Sequence, residues 1–210
     1  MPICSKEINS GSWVSKAVKA LLVLMLTIVW SSSGPSMTMA EELSADLTQL
    51  SLEDLMDIQI KAAFVHHIAM FVQWPVGTLA DPREPFGLYT MGEDRFDNAF
   101  DSFEGRMIHN RPLLVRKLDA VEDIPTDCRI LFVGVMEKME IQRVLSKVAG
   151  RAILTISDGT EFTESGGTIG LITVNNRIRF TINSLSAREA GLTISSNLLK
   201  LALSINGETQ

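Results

Sequence analysis

An α/β domain, with one mixed β-sheet flanked by helices, is the fold class that the sequence predicts. Three observations carry it. Apolar residues alternate along the chain between helical spacing and short strand-like runs. The stretch from Arg129 to Asp158 reads strand, helix, strand, the order of a βαβ unit, for which a right-handed crossover is expected. Near the C terminus, "GTIGLITVNNRIRFTIN" reads as a hairpin and is followed by a helix.

The first 40 residues read as an export leader. Lys16 and Lys19 precede the apolar run Ala20 to Trp30, and the small, polar stretch "SSSGPSMTMA" leads to a cleavage site near Ala40. That run is too short to span a membrane, which takes about 20 apolar residues. Export to the periplasm, without membrane insertion once the leader is cleaved, is the expectation. The 170 residues that remain suffice for one domain with its own core. Removing Lys6, Lys16, Lys19 and Glu7 from the 19 basic and 25 acidic residues leaves 16 and 24, a net charge of −8. Nucleic acid and anionic lipid demand a cationic surface, so neither is an expected partner. Cys4 departs with the leader and Cys128 remains alone, so no internal disulfide forms and packing must hold the fold. Free cysteine is among the most buried residue types, and Cys128 is read as an inert core thiol.

Glu41 to Gln59 forms an N-terminal segment that runs into the first helix. "SLED" from Ser51 is a capping-box pattern, and Ile60, Ala63, Phe64, Ile68 and Phe71 share the spacing of one helical face. Pro75 is expected to end this helix. His67 lies in phase with that face and His66 about 100° around it. Neighbours in a helix do not converge on one ion, so the pair is read as one packed and one surface histidine, with no metal and no catalysis. "DPREP" is a turn and "FGLYTMG" a strand. Glu93 to Glu104 reads as a helix burying Phe96, Ala99, Phe100 and Phe103, with Asp94, Asp97, Asp101 and Glu104 on a solvated face. "LLVRKL" and "RILFVG" are strands, the second apolar enough to be buried.

Glu137 to Val148 forms the crossover helix, its inner face Ile141, Val144, Leu145 and Val148, with Gly150 at the C-cap position. "AILTISD" completes the unit. The glycines of "GTEFTESGG" lack a following lysine and read as turn residues, not as a phosphate cradle. In the hairpin, pairing Val174 with Arg177 puts Ile169, Leu171, Ile178, Phe180 and Ile182 on the core face. The outer face carries Ile172, Val174, Arg177 and Arg179, with a gap at Gly170. "SAREAG" has a capping box from Ser186 to Glu189, and the closing helix is expected to bury Ile194, Leu198, Leu201 and Ile205.

In this order, "IKAAFVHHIAMFVQWP", "GRMIHNRPLLVR", "DCRILFVG", "AILTISD", "GGTIGLI" and "RIRFTINSLSAREAGLTISSNLLKLA" together resemble the YfiR family of periplasmic proteins. The resemblance covers the domain at 60–205 and leaves 206–210 as a tail. It implies an α/β domain without enzymatic activity that represses a membrane-bound diguanylate cyclase by contacting its periplasmic part. Cysteine pairs can staple members of the family, and this chain departs from that pattern. A second stretch, "LTQLSLEDLMDIQI", resembles the segment that opens the plug of TonB-dependent receptors, with no barrel after it.

Two functions therefore stand. One is a non-enzymatic regulator of an inner-membrane signalling protein, with a homodimer as a further form that the sequence allows. The other is a small-ligand sensor or accessory of a TonB-dependent uptake system. No nucleophile motif, metal-ligand spacing or paired-carboxylate arrangement points to an enzyme, and no cofactor is implied. Arg177, Arg179, Ile172 and Val174 are the candidate contact residues. Guanidinium groups among aliphatic neighbours suit a partly desolvated interface, whereas the plain structural reading has the C-terminal helix covering Ile172 and Val174.

Overall fold

The structure, a computed structural model, describes residues 52–81, 83–92 and 97–207. The expected leader, Ser51 of the capping pattern and Phe96 lie outside the described residues. The first helix, α1 (Leu52–Met70), is followed by β1 (Val72–Gln73) and β2 (Phe86–Met91). Next come α2 (Asp97–Asp101), β3 (Met107–Ile108), β4 (Arg111–Leu118) and β5 (Cys128–Val133). The chain continues with α3 (Lys138–Val148), β6 (Leu154–Asp158), α4 (Glu161–Glu164), β7 (Ile169–Val174) and β8 (Arg177–Asn183). It closes with α5 (Ser184–Glu189), β9 (Thr193–Ile194), α6 (Ser196–Leu201) and β10 (Ser204–Asn206).

Eight strands form one mixed sheet in the order β10, β8, β7, β6, β5, β2, β4, β3. From β4 through β2, β5 and β6 to β7 the pairing is parallel, and β7 with β8 is antiparallel. The α/β class, the βαβ unit β5–α3–β6 and the hairpin agree with the sequence. Strands β2 and β5 are buried at every position, as strands covered on both faces must be. One face packs Leu88, Ile130, Phe132, Leu154, Ile156 and Leu171 against α1, α2 and α6. The other packs Leu131 and Val133 against Val144 and Val148 of α3 and against Phe162 of α4. Helices on both faces of a largely parallel sheet give three layers.

Several expectations are corrected. Helix α1 buries Ile58, Ala62, Val65, Ile68 and Ala69, whereas Ile60 and Phe71, expected inside, are 45% and 41% exposed. Apolar residues occur all round this helix, so spacing alone does not select the inner face. The helix also ends at Met70, four residues before Trp74, because Val72 and Gln73 pair with Ile194 and Thr193 and the amide of Ser195 donates to Phe71 O at 3.0 Å.

The single closing helix is instead two short ones. Asn183, not Ser186, caps α5, its side chain accepting from Ser186 N, and Gly191 turns the chain at φ 71° into β9. A second helix then starts on the Ser195 side chain. Leu198 is buried as expected, but Ile194 lies on β9, Ile205 on β10, and Leu201 is 61% exposed. The loop "GTEFTESGG" holds the short helix α4, whose Phe162 ring lies 2.1 Å from where a Cβ of Gly167 would stand. That glycine admits an aromatic ring rather than making a turn.

Candidate functional site

The hairpin register brings the four singled-out residues together. Ile172 stands opposite Arg179 and Val174 opposite Arg177, so their side chains share one face with Cβ atoms about 5 Å apart across the pair. The two-residue turn forms because Asn175 and Asn176 both adopt positive φ, at 51° and 57°, a region that asparagine tolerates. Ile172 is half-buried, and Val174, Arg177 and Arg179 are exposed. Among the described residues, neither guanidinium forms an ion pair.

Toward the hairpin base the same face is closed. The gap expected at Gly170 is filled by the carbonyl of Gly159, which comes within 2.3 Å of where a Cβ would stand. Beside it, the hydroxyls of Thr163 and Thr181 hydrogen-bond at 3.1 Å, and Asn183 Nδ2 donates to Thr163 O at 3.0 Å. The C-terminal helix does not cover Ile172 and Val174. Leu198 of α6 is buried in the same cluster as Leu171 and Phe180, which point to the opposite face. What remains open is a short apolar strip flanked by two arginines at the end of a well-anchored hairpin.

An ion triad missed in the sequence ties that hairpin to α1. Thr173 Oγ1, on the other face from Val174, donates to Asp57 Oδ1 at 2.8 Å. Lys61 Nζ lies 2.8 Å from Asp57 and 2.9 Å from Asp158 at the end of β6. Burial of Lys61 works against its charge, but the hydrogen bonds it donates to Asp57 and Asp158 and their negative charges prevail and raise its pKa. The i, i+4 spacing of Asp57 and Lys61 was available in the sequence; the distant partner Asp158 was not.

The histidines exchange the roles expected of them. His67 is exposed, and His66 is half-buried with its ring centroid 5.5 Å from that of Phe103. Arg106 lies over the same phenyl ring at 4.4 Å. Burial, then the neighbouring charge of His67, holds the His66 pKa down. Among the described residues, no three His, Cys, Asp or Glu side chains cluster closely enough to hold a metal ion. Cys128 is buried, as expected, and burial pushes its thiol up to about 12. Gly87 occupies the position opposite it on β2. Glu104, expected simply on a solvated face, accepts from the amide of Val115 at 2.6 Å on the otherwise open edge of β4.

Two open crevices lie at the carboxyl ends of the parallel strands. One, of about 630 Å³, sits where the chain leaves β2 toward β4 on one side and β5 toward β6 on the other. Such a switch point is where open α/β sheets bind ligands. Asp119, Glu122, Glu137 and Glu140 line it against Lys117 and Arg143. The second, of about 870 Å³, carries Asp158, Glu161 and Glu164 against Lys138. Both walls are net negative and suit a cationic or neutral ligand better than a phosphate.

Among the described residues, no helix is long and apolar enough to cross a membrane. Two solved structures are similar to part of this chain. One is the ABC domain in complex with L-Trp from Streptococcus pneumonia, 11% identical with a TM-score of 0.45, the match covering 70% of this chain and 61% of that one. The other is a conserved domain protein from Vibrio cholerae, 10% identical with a TM-score of 0.46, covering 71% of this chain and 60% of that one. The chain thus spans about three-fifths of each. A family model described as YfiR/HmsC-like matches residues 58–203, from the second turn of α1 to just past the end of α6. The protein belongs to the YfiR/HmsC-like family, a regulatory family of the cyclic-di-GMP system.

Proposed function

We propose that the protein is a non-enzymatic periplasmic regulator that restrains a membrane signalling protein, a diguanylate cyclase in the first instance, through the outer face of its C-terminal hairpin. The observation that carries this reading is the cross-strand pairing of Ile172 with Arg179 and Val174 with Arg177 on an uncovered face. A chain of net charge −6 presents two guanidinium groups side by side there, with no ion-pair partner among the described residues. Arginines at such a place grip partner carboxylates bidentately, while the aliphatic neighbours exclude water and strengthen those bonds. The partner surface is accordingly acidic with an apolar centre. Anchoring of the hairpin through Thr173, Asp57 and Lys61 supports the reading, because a rigid contact surface loses little entropy on binding. Deleting the gene tests the restraint itself: cyclic-di-GMP should rise, and an unchanged level would contradict it.

A second reading, a small-ligand sensor, draws on the crevice at the β2/β5 switch point. It predicts that a cationic or neutral ligand binds there, and that substitutions in the hairpin leave such binding unchanged.

A further inference from the structure

At the opposite end of the sheet from the hairpin turn, two arginines line one pocket. It has a volume of about 380 Å³ and lies at the amino ends of β5 and β6, bordered by Thr78, Thr126, Cys128, Arg129 and Arg151, and among the described residues no acidic one lines it. The Arg129 side chain is 9% exposed. Its Nη1 donates to Thr126 O at 2.7 Å and Cys128 O at 3.3 Å, and its Nη2 to Thr78 O at 2.8 Å. Arg151 donates to the carbonyls of Ile124 and Pro125. These bonds tether three loops, but every acceptor is neutral. Among the described residues the carboxylate paired with Arg129 is Glu84, 3.6 Å from Nη2 and itself 38% exposed, which is beyond hydrogen-bond distance.

Arg129 is therefore drawn into the protein with only a loose, part-exposed carboxylate partner, and Arg151 stands half-buried on the same pocket, an arrangement that a bound oxyanion would complete. The unmet donor is visible. Arg129 Nε is buried with no partner, and Nε with Nη2 forms the side edge by which a guanidinium takes two oxygens of one oxyanion. Glu84 approaches that edge from outside and competes for it.

We propose that this pocket binds a small oxyanion, a phosphate or carboxylate group held between Arg129 and Arg151. Binding pairs both guanidinium groups and satisfies the Arg129 Nε–H, with Glu84 turning aside to admit the ligand. The site is separate from the hairpin face and from the acidic crevices.

Isothermal titration of the folded protein with inorganic phosphate and, separately, with acetate at constant ionic strength tests it. Saturable one-site binding is expected for at least one of them. Phosphate alone identifies a tetrahedral ligand and acetate alone a planar one. Arg151→Gln, at a half-buried position that leaves the buried Arg129 tethers in place, should weaken binding about tenfold. Glu84→Gln should tighten it, an effect that a purely structural role for the arginines does not produce. Absence of saturable binding by both anions, or equal affinity in the parent and Arg151→Gln, overturns the proposal. The Arg177→Ala, Arg179→Ala variant should bind the anion like the parent, which keeps this test independent of the hairpin contact.

Discussion

Lys61 and Asp158 are 97 residues apart in the chain, and their side chains meet at 2.9 Å, with Asp57 completing the triad. The contact clamps α1 to the end of β6 and, through Thr173, to the hairpin. Lys61→Met should destabilise the domain by about 2 kcal/mol, because two partly buried carboxylates lose their shared donor. The sign with pH follows from the raised lysine pKa. The stabilisation is fully present below the ordinary value of 10.5 and is lost as pH rises through the higher folded value. Urea unfolding of parent and variant should therefore differ at neutral pH and converge in strong alkali. Equal midpoints at neutral pH would dismiss the clamp.

His66 gives a second, opposite dependence. Its folded pKa lies below the ordinary 6.5, so the folded state prefers the neutral ring. Stability is full above pH 6.5 and declines as pH falls from there through the lower folded value. His66→Phe keeps an aromatic ring against Phe103 without the titrating nitrogen. It should flatten the change in urea midpoint between neutral and mildly acidic pH, while the exposed His67 should tolerate glutamate within about 0.5 kcal/mol. An unaltered pH profile in His66→Phe would show that the ring is not the titrating group.

Cys128 is sealed from chemistry. With the thiol 1% exposed and its pKa pushed up to about 12, the thiolate needed for attack is scarce at neutral pH. A thiol reagent should react slowly with the native protein and rapidly in urea, and non-reducing electrophoresis should show no covalent dimer. Fast native labelling would place the sulfur at the surface.

How much of this was legible in the sequence depended on whether local pattern or long-range contact decided the outcome. The hairpin register was legible, since Asn175-Asn176 fixes the turn and strict alternation fixes the faces. So was β5, a bounded apolar run. The inner face of α1 was not, because Leu55, Met56, Ile60 and Met70 give the helix apolar residues on its solvent side too. The break in the closing helix depends on β9 finding β1, some 120 residues earlier, and no local propensity records that. Within the candidate site, the pairing of Arg177 and Arg179 with aliphatic neighbours could be read from strand periodicity. The closure at Gly170 could not, since it comes from the Gly159 carbonyl on a neighbouring strand end. Lys61–Asp158 and the Arg129–Arg151 pocket likewise join residues that only the fold brings together.

Cellular cyclic-di-GMP in a strain whose only copy of the protein carries Arg177→Ala and Arg179→Ala tests whether the hairpin face is the restraining contact. Both residues are exposed and make no ion pair among the described residues, so the variant should match the parent in thermal stability and in periplasmic abundance. Removing two desolvated arginines from a contact costs about 2 kcal/mol or more, enough to release most of a modestly bound partner. Cyclic-di-GMP should rise toward the level of the deletion strain. A variant that is folded and exported yet holds cyclic-di-GMP at the parental level would contradict it.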